Sequence, residues 1–203
     1  VIAVTIMCAD VPQPTARRSF RAGAIVDASA QQRQQRLATI AYPGSYDRRM
    51  TFSFARMTED DLRILHRWLE EPHVREFYDQ EPRTFHEVAA SYRGKILGDQ
   101  PTAPYIASLD GTPVGYLQTY QLADYPEYAS AIVAGRDAAG VDMLIGEVAY
   151  AHRGLGAPLL RQFLDDVVWP ITRATTCWIG PSVHNAIAIR CYAKAGFVHA
   201  RTV

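Results

Sequence analysis

VDMLIGEVAYAHRGLGAPLL, residues 141–160, is the stretch on which the reading of this chain turns. Apolar residues dominate Val141–Tyr150, broken only by Asp142 and Glu147 among acids, which predicts a buried strand carrying two carboxylates. Arg153-Gly154-Leu155-Gly156-Ala157 follows, and Leu159, Leu160, Phe163, Leu164 and Val167 then recur at helical spacing. Pro158 fits only the first turn of that helix, where its missing N–H costs no hydrogen bond. A strand, a glycine-spaced loop and a helix start together aim backbone N–H groups and the positive helix end at an anion, most often a phosphate. Spacing excludes two familiar phosphate loops. A dinucleotide fingerprint needs a third glycine where Leu159 stands, and a P-loop needs Gly-Lys-Ser/Thr. On these residues alone, a corner that merely turns the chain is an equal reading.

Downstream, Thr175–Ile179 reads as a strand and Gly180-Pro181 as a turn. Asn185 caps a helix that runs to Ala195 and stops at Gly196, and Phe197–Val203 begins a further strand. Upstream, Thr51–Arg56 alternates as a strand. Thr58 and Asp61 then make a capping box with a Met57–Leu62 staple, ahead of a buried stripe of Leu62, Leu65 and Leu69. A second box, Thr84 with Glu87, opens a helix through Val88, Tyr92 and Ile96 that Gly98 ends. His73–Asp79 between them reads as an acid-and-aromatic linker. Tyr105–Leu109 and Val114–Tyr120 flank Asp110-Gly111, a hairpin signature, and residues 121–140 read as a long loop. The order β-α-α-β-β-β-α-β-α-β predicts a mixed α/β domain over 50–203. Residues 1–49 show no chemical constellation and are expected to form a poorly ordered or loosely docked extension.

A chain of 203 residues, 48% hydrophobic and 21% charged, suits one globular domain with a real core. No apolar run approaches the ~18–20 residues of a bilayer span, and Val1–Ala9 does not read as a signal peptide. Cys8, Cys177 and Cys191 are widely spaced without metal-ligand pairing, so reduced thiols, a cytoplasmic setting and no metal are expected. Net charge is zero but unevenly spread. Residues 57–150 hold 16 acids against 7 bases, whereas residues 151–203 hold 6 bases against 2 acids. An acidic middle suits a cationic partner and a basic end containing the glycine loop suits a phosphorylated one. Nucleic acid and membrane are not expected partners.

The strand with Arg153-Gly154-Leu155-Gly156-Ala157, and Asn185 followed by Ala-Ile-Ala-Ile-Arg190-Cys-Tyr192-Ala-Lys-Ala-Gly196-Phe197, resemble the GNAT superfamily of acyl-CoA N-acyltransferases. Within it, Met57-Thr-Glu-Asp-Asp-Leu62, Trp68-Leu69, Pro104-Tyr-Ile-Ala107, Gly115-Tyr-Leu-Gln118 and Gly140-Val-Asp142 are most similar to the aminoglycoside 6′-N-acetyltransferases. The resemblance covers about Met50–Val203. It implies a central mixed, mostly antiparallel, splayed sheet flanked by about four helices, and a chain that stops before the family's last strand. It also implies acetyl-CoA as acyl donor, held around Leu144, Ile145, Val148, His152, Arg153, Gly154, Leu155, Gly156, Ala157, Asn185 and Tyr192. Two positions depart from the family pattern: Ala151 stands where Gln or Arg usually precedes the loop, and Gly180 where related antibiotic enzymes carry Asp.

An acceptor amine arrives as an ammonium and must lose a proton before attacking a thioester, and a positioned carboxylate can take it. The resemblance implies Asp142 in that role, with Glu147 as a second carboxylate and Tyr192 as the acid that protonates the leaving thiolate. Glu76, Phe77, Tyr78, Asp79, Tyr116, Gln118 and Asp142 are the expected acceptor wall. Each has a plainer reading: Asp142 and Glu147 as structural acids, Tyr192 as a core tyrosine, residues 76–79 as an exposed linker. The expected activity is acetylation of the 6′-amine of an aminoglycoside-like polycation, conferring antibiotic resistance, by a monomer or homodimer. Its rivals are an acyltransferase for another amine, such as a siderophore precursor or polyamine, and a non-catalytic coenzyme-A-binding module.

Overall fold

The computed structural model describes residues 4–9 and 51–202, apart from 79, 80 and 136. Contacts divide the chain into Val1–Asp10 with Thr51–Val203, and a separate unit, Val11–Met50, which lies outside the described residues. The strands are β1 (Val4–Ala9), β2 (Phe52–Arg56), β3 (Thr102–Leu109), β4 (Thr112–Gln121), β5 (Ala138–Ile145), β6 (Thr176–Ile179) and β7 (Val198–Thr202). They form one sheet in the order β2-β3-β4-β5-β6-β1-β7. Only β5 and β6 pair in parallel; the other neighbours are antiparallel. The mixed, mostly antiparallel sheet expected from the sequence is therefore present.

Both capping boxes form as the sequence predicts. The Thr58 backbone N–H and hydroxyl each donate to Asp61 Oδ2 at 2.8 Å, ahead of α1 (Leu62–Leu69). The Thr84 N–H donates to Glu87 at 2.7 Å at the start of α3 (Phe85–Leu97), and Gly98 closes that helix at φ +85°. Between them, Pro72 opens a single turn, α2 (Pro72–Arg75), within the segment read as a linker. Asp110 and Gly111 both take positive φ, as a two-residue hairpin turn between right-twisted strands requires.

Met57, Leu62, Leu65, Trp68 and Leu69 pack with Val88 and Tyr92 onto Ile106, Tyr116 and Leu144, so α1 and α3 cover one face of the sheet. Side chains of opposite parity face the other side. There the Phe163 ring sits edge-on to Phe54 at 5.1 Å and Tyr105 at 5.4 Å, tying α5 (Gly156–Phe163) to β2 and β3. Helix α5 runs on through a π turn, Leu164–Val168, and a last turn, Trp169–Thr172. It packs beside α6 (Ala186–Ala195), which Asn185 caps as predicted, Oδ1 accepting from Ala188 N–H at 2.9 Å.

Three local expectations are corrected. Residues 121–140 are not a loop throughout: Pro126 starts α4 (Pro126–Ile132), Glu127 sits in its first turn, and Ile132 is fully buried. Strand β5 ends at Ile145 rather than near Tyr150, because Gly146 and Glu147 both donate their N–H groups to the Val114 carbonyl and turn the chain. Val4–Ala9, read as part of the extension, is a sheet strand between β6 and β7. No helix among the described residues is long and apolar enough to cross a membrane.

Candidate active site

Strands β5 and β6 pair only at Ala138, Ala139 and Gly140, opposite Thr176, Cys177 and Trp178. Beyond Gly140 they part, and the splay opens a cavity of about 520 Å³. Val141–Ile145 lies along its edge with the far side of β5 still laddered to β4, so one edge of a rigid strand faces the space. An extended ligand arm can add to such an edge through main-chain hydrogen bonds.

The glycine loop in the cavity lining has the backbone shape of an anion cradle. His152 and Gly154 take φ of +58° and +77°, and α5 starts two residues later at Gly156. The first N–H groups of a helix have no partner within it, and alternating backbone hand gathers further N–H groups into a concavity. A side chain at Gly156 would bring its Cβ within 2.6 Å of Cys191 Sγ, so glycine permits the close approach of α5 and α6. Arg190 and Lys194 on α6 and His152 also line the cavity. The surplus of bases in residues 151–203 was the sequence's only trace of that rim.

Asp142 lines the cavity. It stands opposite Gln118 in the β4–β5 ladder, and Gln118 Nε2 donates to Asp142 Oδ2 at 2.6 Å. Gln118 Oε1 accepts from Tyr116 Oη at 2.7 Å and from Lys95 Nζ at 3.0 Å. Burial pushes the Asp142 carboxyl above its ordinary range, while the Gln118 hydrogen bond and the Lys95 charge pull it back. Burial raises the Tyr78 and Tyr116 phenols well above theirs, with neighbouring phenols and Asp142 adding to the effect. Tyr192, on α6, is 8% exposed and its phenol is raised by burial, then by Cys191 and Asp142. These hydroxyls therefore keep their protons through neutral pH.

The structure gathers many of the residues named from sequence around this one space. Glu76, Phe77 and Tyr78 line it from the segment after α2, Leu144 and Ile145 from β5. His152 and Gly154–Ala157 line it from the loop and α5, Asn185 and Tyr192 from α6. Asp79 lies outside the described residues. Val148 and Arg153 are exposed and outside the lining. Tyr116 and Gln118 do not line it either; both are buried behind Asp142, where they act on its carboxylate rather than on a ligand.

Glu147 is also absent from the lining. Its Oε1 is held by the Arg67 guanidinium and by Trp68 Nε1–H at 3.0 Å, beneath α1. Gly146 explains this placement: a Cβ there would lie 2.0 Å from Trp68 Cγ, so the turn after β5 nests against the indole. The arrangement gives Glu147 a structural partner set and no approach to the cavity residues. Lys95 and His73 were not recognised in the sequence. His73 lines the cavity and its Nε2–H donates to the Ile145 carbonyl at 2.9 Å, pinning the end of β5. Its only trace was its place at the head of the acid-and-aromatic segment His73–Asp79.

Comparison with known proteins agrees with this geometry. The profile of the acetyltransferase (GNAT) domain matches residues 57–203. The chain is 33% identical over 149 residues to the aminoglycoside N(6′)-acetyltransferase type 1 of Klebsiella pneumoniae, spanning 72% of this chain and 74% of that protein. It superposes on aminoglycoside acetyltransferase AAC(6′)-Ib in complex with coenzyme A and kanamycin with a TM-score of 0.62 and 30% identity, over 73% of this chain and 84% of that one. A ribostamycin and coenzyme A complex of AAC(6′)-Ib gives 0.61 and 31%, over 71% and 82%. The splayed β5–β6 pair, the Arg153–Ala157 loop opening a helix, and the profile over nearly the whole 57–203 segment have one explanation: this chain belongs to the GNAT family and is an acetyl-CoA-dependent N-acetyltransferase.

Proposed function

We propose that the protein acetylates the 6′-amine of aminoglycosides, with Asp142 as proton acceptor, and so confers resistance to them in the cytoplasm. The observation that carries this reading is that Asp142 lines the same cavity as the glycine loop and as Glu76, Phe77 and Tyr78. Glu76 and Asp142 set negative charge where a polycation would lie, and the two aromatic residues give a sugar ring an apolar face to rest on.

Acetyl-CoA, when bound, supplies the acetyl thioester. Residues Gly154–Ala157 fit its pyrophosphate through backbone N–H groups, with Arg190 and Lys194 adding charge at the rim. The open edge of β5 fits an amide-bearing arm. The Asp142 carboxylate takes a proton from the acceptor's ammonium, freeing the amine's lone pair for attack. Backbone N–H groups of the splayed strands offset the negative charge that develops on the carbonyl oxygen. Tyr192 Oη holds the proton that the leaving sulfur needs.

A panel of amines assayed by thiol release tests the reading. Kanamycin- and tobramycin-like acceptors are expected to turn over, with the product acetylated at the 6′ position by mass spectrometry and NMR. Turnover confined to polyamines or siderophore precursors would replace the acceptor, and tight coenzyme A binding without turnover on any amine would overturn the enzyme's assigned substrate class.

A further inference from the structure

The proton acceptor has a support that no motif announces. A carboxamide carries one acceptor oxygen and one donor nitrogen, so its orientation decides what it offers a neighbour. Gln118 Oε1 accepts from both Lys95 Nζ at 3.0 Å and Tyr116 Oη at 2.7 Å, and Nε2 is thereby left to donate to Asp142 at 2.6 Å. The Tyr116 hydroxyl can donate or accept and would suit either end of the amide. An ammonium can only donate, so Lys95 forbids the flipped amide even when Asp142 is protonated and could itself donate to Oε1. Lys95 is itself anchored: it sits in the last turn of α3, half-buried, with Nζ 4.6 Å from the Tyr92 ring centroid.

We infer that Lys95 is a positioning residue for acetyl transfer: acting through Gln118, it locks the amide with Nε2 toward Asp142 and keeps that carboxylate ready to accept a proton. The inference rests on the reading of Asp142 as proton acceptor. A flipped amide would press Oε1 against a carboxylate oxygen, and Asp142 would then hold its proton instead of accepting one.

The groups around Asp142 come from every packed element. Lys95 faces it from α3, Tyr78 from the segment after α2, Tyr116 and Tyr120 from β4, and Tyr192 from α6, and Glu76 lines the same cavity. The phenols are raised, chiefly by burial, and stay neutral over the working range. Lys95 is thus the cation that acts on Asp142. Burial lowers Lys95, which the Asp142 charge opposes.

The test compares wild type with Lys95→Met, Lys95→Arg and Gln118→Glu in two measurements. One is the pH profile of kcat/KM with kanamycin; the other is the titration of the Asp142 carboxyl by carbon NMR, assigned with Asp142→Asn. Lys95→Met is expected to move the acidic limb and the carboxyl titration up by about one pH unit or more. On the limb that is about a tenfold loss of kcat/KM, recovered toward the plateau at higher pH. Lys95→Arg keeps both near wild type, and Gln118→Glu, with no N–H to donate, moves both upward even with Lys95 present. A lowered plateau with an unmoved limb would mean Lys95 only supports packing and would overturn the inference. If the wild type turns over no aminoglycoside, the acceptor reading fails by itself, and the carboxyl titration alone decides the role of Lys95.

Discussion

Gln118 stands directly across the β4–β5 ladder from Asp142 and donates to its Oδ2 at 2.6 Å. A register pair thus joins the buried side of the sheet to the cavity: the hydrogen bonds of Lys95 and Tyr116 are relayed to the Asp142 carboxylate through this amide. Strand pairing fixes such a contact more firmly than a loop would, because a slip of one residue would send Gln118 to the opposite face.

Asp142→Asn removes the proposed proton acceptor while keeping shape and a hydrogen-bonding end. Turnover of kanamycin is expected to fall by roughly 10²–10⁴-fold, the usual weight of general base catalysis. Coenzyme A affinity, which the proposal assigns to the glycine loop, should stay within about threefold by calorimetry. Unchanged turnover would remove Asp142 from its assigned role.

The same substitution has the opposite effect on stability. The folded Asp142 carboxyl is raised above its unfolded value by burial. Between those two values the native state binds more protons than the unfolded chain, so stability falls as pH rises through the folded value. Asn imitates the protonated form and escapes that loss. Asp142→Asn should therefore melt higher than wild type near pH 7, and the gap should close as pH falls below the ordinary carboxylate range. A variant that melts lower at neutral pH would mean the Gln118 hydrogen bond outweighs desolvation.

Local chemistry wrote much of this fold into the sequence. Thr58–Asp61, Thr84–Glu87, Asp110-Gly111 and Asn185 with Gly196 each act within a few residues, and each forms as read. The glycine loop showed in its spacing as a strand, loop and helix start, whereas the role expected of Asp142 came only with the family resemblance. What stayed hidden is non-local. Lys95 in a helix's last turn looks like any solvated lysine until the sheet brings Gln118 beneath it, 23 residues along the chain. Glu147 failed to reach the cavity for a similar reason: its partners Arg67 and Trp68 lie about 80 residues upstream. Val4–Ala9 pairs with β6 and β7 across nearly the whole chain, beyond the reach of any local pattern.

Glu147→Gln separates the two acids. An amide can still accept from Trp68 Nε1–H but loses the charge that Arg67 pairs with, and Arg67 is more than half exposed. Such pairs contribute little, roughly 0–1 kcal/mol. The expected result is a melting temperature within a few degrees of wild type and kcat/KM for kanamycin within about threefold. A loss matching that of Asp142→Asn would put Glu147 back into the chemistry.

Gly146→Ala probes the turn that holds Glu147 away. The new Cβ would fall 2.0 Å from Trp68 Cγ and 2.2 Å from Cδ2, in a core where the indole is fully buried. Overpacking of this kind costs about 1–3 kcal/mol, and chemical denaturation should show a loss in that range. Wild-type stability would show that the indole has room to move.

Gly156→Ala tests the cradle without touching its charges. The added Cβ meets Cys191 Sγ at 2.6 Å, whereas the next neighbours, Met143 Cε and Ile145 Cδ1, stand 3.7 and 3.9 Å away. One sulfur is therefore the obstacle. Forcing α5 and α6 apart displaces the helix start whose N–H groups are proposed to hold the pyrophosphate, and coenzyme A affinity is expected to drop about tenfold, the lower part of a ~1–3 kcal/mol overpacking cost. Burial pushes the Cys191 thiol up to about 11, so it is a neutral spacer at working pH and its removal subtracts no charge. Adding Cys191→Ala to Gly156→Ala should then restore affinity to within about threefold of wild type, a coupling that calorimetry on the two single and one double variant measures directly. If the double variant binds as weakly as Gly156→Ala, the glycine serves the ligand's approach to the backbone rather than the contact between helices.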